Sequence, residues 1–215
     1  MIEIAIALGV IGFALVAIIG ILPAGLEVQR DNRSETILNQ DGTFWLEAIR
    51  NGARGLDDLT NNVESISVVN PAPVSTSNFY TFGNGFFSGA DIIGLLTTQA
   101  AEPDAIVRAN VWAVSGSAAE KEVNPADREL TFKYRMRVHI ERGTNFALSF
   151  TTLSTNNLPI VPEPLDSLYN VSLTFAYPLI RDDRLPPRSQ SYRGLVSREI
   201  RTNIVGGVPY FFFTQ

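Results

Sequence analysis

The sequence predicts an α+β fold in which a long N-terminal apolar helix, kinked near Pro23, packs on a mainly antiparallel β-sheet domain. Three observations predict it. Residues 4–22 are 19 consecutive side chains without charge or strong polarity, and at about 1.5 Å per residue such a helix reaches across a hydrocarbon core. Residues 27–63 then carry apolar side chains near helical spacing. From Glu129 onward apolar and polar residues alternate with period two, the mark of strands with one buried and one wet face. The expected organisation is a membrane or core helix over 1–26, an amphipathic helical half over 27–63 and a β-rich domain over 64–215.

The first 26 residues contain one ionisable side chain, Glu3, and the first basic residue is Arg30. A secretory signal peptide would want a basic start, a shorter apolar run and a small-residue cleavage site. Pro23-Ala24-Gly25 offers only the last of these, so a retained membrane helix is the preferred reading over a removable signal or a buried core helix. Inside a helix each glycine costs about 1 kcal/mol relative to alanine and a proline about 3 kcal/mol. Pro23 also crowds the carbonyl of Ile19. A kink or local melting is therefore expected over Gly20, Pro23 and Gly25. Small side chains at Ala5, Gly9, Gly12 and Ala17 would let a second helix approach closely. Glu3 lies in the first turn, where the positive end of the helix dipole favours a carboxylate. It either rests at the membrane surface or pairs with a positive group on a neighbouring subunit, such as a free amino terminus.

Beyond Leu26 the apolar stripe runs through Trp45, Ile49, Ala53, Leu56 and Val63, with Leu59 beside it. Asp41 or Thr43 could cap a helix start there, and Gly42 marks a plausible break. Phe44 and Trp45 read as core anchors rather than ligand contacts. Leu130, Phe132, Tyr134, Met136, Val138 and Ile140 alternate with Thr131, Lys133, Arg135, Arg137, His139 and Glu141, which predicts a strand over 129–142. Phe146, Leu148 and Phe150 repeat the pattern after Gly143-Thr144-Asn145, so a hairpin is expected. Tyr169 to Tyr177 alternate likewise. Further strands are expected at 64–69, 106–114, 192–204 and 208–213. Residues 70–104 and 153–168, rich in proline and small polar residues, read as surface loops.

The whole chain has 215 residues, 45% of them hydrophobic and 18% charged, enough for one sizeable core. A net charge of −5 argues against a general nucleic-acid binder. There is no cysteine and one histidine, His139, which removes disulfides, Cys-type zinc sites, Cys nucleophiles and histidine metal clusters. His139 reads as a solvated residue on the polar strand face. Gly83-Asn84-Gly85-Phe86-Phe87-Ser88-Gly89 mimics a phosphate loop but lacks the GK[ST] ending. Asp57-Asp58 and Asp182-Asp183 supply only adjacent carboxylates, short of a calcium site. Lys133, Arg135 and Arg137 form a basic row best read as a wet sheet face or a subunit contact. No catalytic constellation and no cofactor are expected.

The stretch Ile2-Glu3-Ile4-Ala5-Ile6-Ala7-Leu8, followed by an apolar helix with Pro23 about twenty residues on, resembles the type IV pilin and pseudopilin family. Glu3 stands in the place of that family's glutamate and Pro23 in the place of its helix-breaking proline. The stretches IALGVIGFALVAIIGILPAGL, FWLEAIRNGARGLDDLT and RGLVSREI…PYFFF also resemble pilin-like proteins of the Verrucomicrobia type. The family has four residues before its glutamate, whereas Met1 is two positions before Glu3, so the chain is expected to begin two residues inside the mature protein. The resemblance implies a structural subunit of a type IV pilus-like or pseudopilus filament. Its partners would be copies of itself, the inner membrane before assembly, and the assembly machinery, with no nucleic acid. Its final location would be a cell-surface filament, and the assembly residues would be Glu3 and the amino terminus, here Met1. The alternative is a monomeric, membrane-anchored extracytoplasmic binding domain.

Overall fold

The computed structural model describes residues 2–52, 57–71, 75–115, 132–144, 164–177, 179 and 188–214. A single helix, α1 (Ile2–Asn51), precedes the domain. A 3-10 turn (Asp57–Asn61) leads into strands β1 (Val63–Asn70), β2 (Thr76–Phe82) and β3 (Gly85–Phe86). Helices α2 (Gly89–Leu96) and α3 (Thr98–Ala101) follow, then β4 (Ile106–Trp112), β5 (Lys133–Thr144), β6 (Pro164–Tyr177) and β7 (Arg188–Ser197). The strands β8 (Ile200–Val205) and β9 (Val208–Phe213) close the chain.

The expected α+β layout is what forms. Seven strands make one sheet in the order β3-β2-β1-β4-β5-β6-β7, and β8-β9 make a separate two-stranded ribbon. Every pairing is antiparallel except the short β2–β3 contact. Register follows burial: Met136 faces Phe175, Val138 faces Leu173 and Ile140 faces Val171, so the apolar sides of β5 and β6 fall on one inner face. That face is covered by the C-terminal half of α1, by α2 and α3, and by β9. Burying this inner layer supplies the driving force at about 25 cal/mol per Å² of apolar surface.

Several expectations are corrected. The helix does not melt over Gly20, Pro23 and Gly25; its helical assignment is unbroken from Ile2 to Asn51. It is not interrupted at Gly42 either. Gly42 is buried, and a Cβ there would lie 2.7 Å from the Tyr192 ring, so this glycine admits β7 rather than breaking the helix. That ring is held edge-on to Phe175 at 5.3 Å and donates its hydroxyl to Asn39 Oδ1 at 2.7 Å. Gly42→Ala is therefore expected to lower stability by about 1–3 kcal/mol, read from a denaturant midpoint at unchanged slope.

The helical half ends at Asn51 and not near Val63. Gly52 has φ +69, a left-handed position that glycine adopts without strain and that terminates helices. The Arg198 guanidinium completes the end by donating to Arg50 C=O at 2.8 Å. Of the expected stripe, Trp45 and Ile49 are helical and buried, Val63 opens β1, and Ala53 and Leu56 lie outside the described residues.

The stretch read as a loop over 70–104 contains β2, β3, α2 and α3. Ser88 and Asp91 form a reciprocal capping box, and Ile92, Ile93, Leu95 and Leu96 below it are buried. Its small polar residues are divided between the exposed strand β2, with Thr76, Ser77, Asn78 and Thr81, and the caps and turns of the short elements that follow. The turn expected at 143–145 does not begin at Gly143: Gly143 and Thr144 belong to β5, which pairs with β6, and Asn145 lies outside the described residues. Phe146, Leu148 and Phe150 lie outside the described residues. The expected strand at 192–204 divides into β7 and β8, which belong to different sheets. Between them Arg198 N–H donates to Ser167 C=O at 2.6 Å, tying the corner to the start of β6.

Candidate functional site

The feature that sets this chain apart is the N-terminal half of α1. Its large apolar side chains, from Ile2 to Val28, are all exposed, Phe13 at 79% and even the least exposed, Leu15, at 54%. This helix is long and apolar enough to cross a membrane, and none of its most apolar 18-residue window is buried in the chain. A buried core helix is thereby excluded. Glu3 is exposed in the first turn. The nearest cation in the helix sequence, Arg30, is 27 residues away, about 40 Å along the axis, so no arginine of the same helix can neutralise it. Met1 lies outside the described residues.

The glycines of this half differ from those of the domain. A Cβ at Gly9, Gly12, Gly20 or Gly25 would meet nothing within 4 Å, whereas at Gly42 or Gly94 it would strike an aromatic ring. Packing within this chain explains the second group and leaves the first without an internal reason.

From Asp31 onward the helix is fastened to the domain. Ile37, Leu38, Asp41, Gly42, Trp45, Ala48 and Ile49 are buried, a spacing that keeps one helical face turned to the sheet. Asp41 is the polar centre of that face and is fully buried. Its Oδ2 accepts from Val114 N–H at 3.0 Å and from the Tyr134 hydroxyl at 2.8 Å, and its Oδ1 accepts from Ser115 N–H at 2.9 Å. Trp45 Nε1 donates to the same Tyr134 oxygen at 3.0 Å. Burial pushes the Asp41 carboxyl above its ordinary 3.8, with the hydrogen bonds from Val114, Ser115 and Tyr134 opposing the shift. Burial, reinforced by the Asp41 charge, pushes the Tyr134 phenol well above its ordinary value.

Around this centre Asn39 Oδ1 accepts from the Tyr192 hydroxyl and from Gln190 Nε2, and Arg50 donates to Leu195 C=O. At the N-terminal end of this packed stretch Asp31 pairs with Arg188 on β7. Neither Asp41 nor Thr43 caps a helix start: Thr43 Oγ1 donates back to Asn39 C=O within the continuous helix. The sequence signal for the Asp41 centre was a lone carboxylate between Leu38 and Trp45 on an otherwise apolar stripe.

The remaining candidates resolve as structural groups. His139 is on the outer strand face as expected, but it is bonded on both sides, with Nδ1 3.0 Å from Gln99 Nε2 and Nε2 2.8 Å from Glu141 Oε1. Gln99 is buried and also accepts from Ile140 N–H. The glycine-rich stretch forms the β2–β3 connection, with Gly83 and Gly85 at positive φ. Asp57 and Asp58 open the 3-10 turn, and Asp182 and Asp183 lie outside the described residues. The basic row separates: Lys133 pairs with Glu64 and lies over Trp112, and Arg135 Nε donates to Asn110 Oδ1 at 3.1 Å. No protein-family model, no curated protein and no solved structure matches this chain.

Proposed function

We propose that this chain is a structural subunit of a type IV pilus-like or pseudopilus filament that polymerises through its N-terminal helix. The observation that carries the reading is the continuity of α1: one unbroken helix is fastened to the domain from Asp31 to Arg50 and exposes almost nothing but apolar surface from Ile2 to Val28. No described linker separates the two halves. The apolar rod thus leads directly into the turns that pack on the domain, and packing rods against one another would set the positions of the domains around them. The open glycines at Gly9, Gly12 and Gly20 support close helix approach, and Glu3 supplies the carboxylate that a neighbour's amino terminus would neutralise. Burying that carboxylate without a partner would cost several kcal/mol. In this reading the helix rests in the inner membrane before assembly machinery extracts it, and the β-domains form the outside of a cell-surface polymer.

Glu3→Ala is expected to leave the domain folded, with unchanged circular dichroism, while filament yield in sheared cell-surface material falls severely under electron microscopy. Normal filaments from that variant would remove the assembly role of Glu3. Replacing residues 1–25 by an unrelated membrane anchor separates this reading from a simple tether. Function survives the exchange in the tether case and is lost in the filament case.

A further inference from the structure

We propose that the outer face of the seven-stranded sheet binds a linear polysaccharide bearing carboxylates, laid across the strands over Arg108, Arg137 and Arg193. The proposal stands whether or not the chain polymerises. Arg108 on β4 and Arg137 on β5 occupy directly opposed positions, both exposed, and neither has a carboxylate partner among the described residues. Opposed side chains on adjacent strands come within about 5 Å at Cβ, where like charges repel. The row continues on both sides without an acid. Ser67 and then Phe79 flank Arg108, and Thr174 and then Ser191 flank Arg137. Arg193 lies two residues from Ser191 on the same face, opposite Ser172.

The charge of this face runs against that of the chain. Among the described residues its outward side chains Arg108, Lys133, Arg135, Arg137 and Arg193 are five cations against two carboxylates, Glu64 and Glu141, both already paired. The chain as a whole has 17 cations and 22 carboxylates. A basic strip on an acidic protein selects a partner by local complementarity. Guanidinium forks match carboxylates bidentately, and strands about 4.8 Å apart space the row for an extended polymer. The groups beside the arginines are hydroxyls, Ser67, Ser172, Thr174 and Ser191, while the Asn110 amide is already engaged by Ser65 and Arg135. Thr174 and Ser191 are 3.0 Å apart and bonded to each other. Such groups exchange hydrogen bonds with sugar hydroxyls. A nucleic acid would instead want several stacking aromatics, and this row presents only Phe79, 60% exposed.

The test uses the full-length chain in detergent and measures binding at low ionic strength to polygalacturonate, neutral dextran, polyglutamate and duplex DNA. Polygalacturonate is expected to bind tightest, with an affinity that falls as salt rises, and R108Q/R137Q is expected to weaken it about tenfold or more. R137E places opposite charges across the β4–β5 pair, so its thermal midpoint should stay the same or rise while polygalacturonate binding is lost. That split separates a binding role from misfolding. R201Q, on β8 outside this sheet, should bind as the parent does. Unchanged binding by R108Q/R137Q overturns the site. Tighter binding of DNA, equal binding of polyglutamate, or arginine-dependent self-association without polygalacturonate binding overturns the polysaccharide assignment.

Discussion

Asp41→Ala is expected to destabilise the domain by about 3–4 kcal/mol and to loosen α1 from the sheet. The substitution leaves Val114 N–H, Ser115 N–H and the Tyr134 hydroxyl without their acceptor. A buried donor left unpaired costs about 1–3 kcal/mol, and water entering beside half-buried Ser115 relieves part of the sum. Against the 5–15 kcal/mol typical of a whole domain, that is a large share. Denaturant unfolding of Asp41→Ala, Tyr134→Phe and the double variant closes a cycle, and a coupling near zero would show that the Asp41–Tyr134 bond contributes nothing. The pH dependence carries a sign of its own. Because the folded carboxyl titrates above its ordinary 3.8, the folded protein holds a proton that the unfolded chain has already released within that window. The stability difference between the parent and Asp41→Ala should therefore fall as pH rises from 3.8 through the raised folded value, then level off. A difference that grows over that range would contradict a raised carboxyl.

Leu15→Arg combined with Ile19→Arg is expected to abolish stable membrane association of α1 while leaving the domain intact. Each arginine at the centre of a spanning helix costs about 2.5–3.5 kcal/mol on insertion scales, so the pair shifts the partition by several powers of ten. Leu15 is 54% exposed and Ile19 69% exposed. Neither touches the core, and the unfolding midpoint should not move. Flotation of the variant with vesicles reads the first effect and thermal unfolding the second. Retained flotation would mean that the apolar rod does not govern membrane attachment.

Much of the domain was legible because strand burial is periodic. β5 and the Tyr169–Tyr177 part of β6 fall where alternating apolar residues placed them, since each alternation faces a single core. β9 lies on the expected apolar run 208–213, whereas β6 begins already at Pro164, inside the stretch read as a loop. The helix end was misread because Ala53 and Leu56 extend the apolar spacing past Gly52, while the decisive property is the left-handed backbone at that glycine. Gly42 was misread for the opposite reason. Its role is set by the Tyr192 ring, 150 residues later in the chain, and local propensity carries no record of such a neighbour. The loop expected over 70–104 failed in a third way, since short capped elements share their composition with turns.

The sequence by itself determined that this protein carries an uncharged apolar rod with a carboxylate near its tip and an alternating β-domain behind it, because hydropathy and period are local properties of the chain. Only the tertiary structure decided that the rod runs unbroken into the domain, that Asp41 is a buried acceptor rather than a cap, and that Arg108 faces Arg137 across a strand pair. Each of those depends on which distant segments meet, and burial and register exist only once they have met.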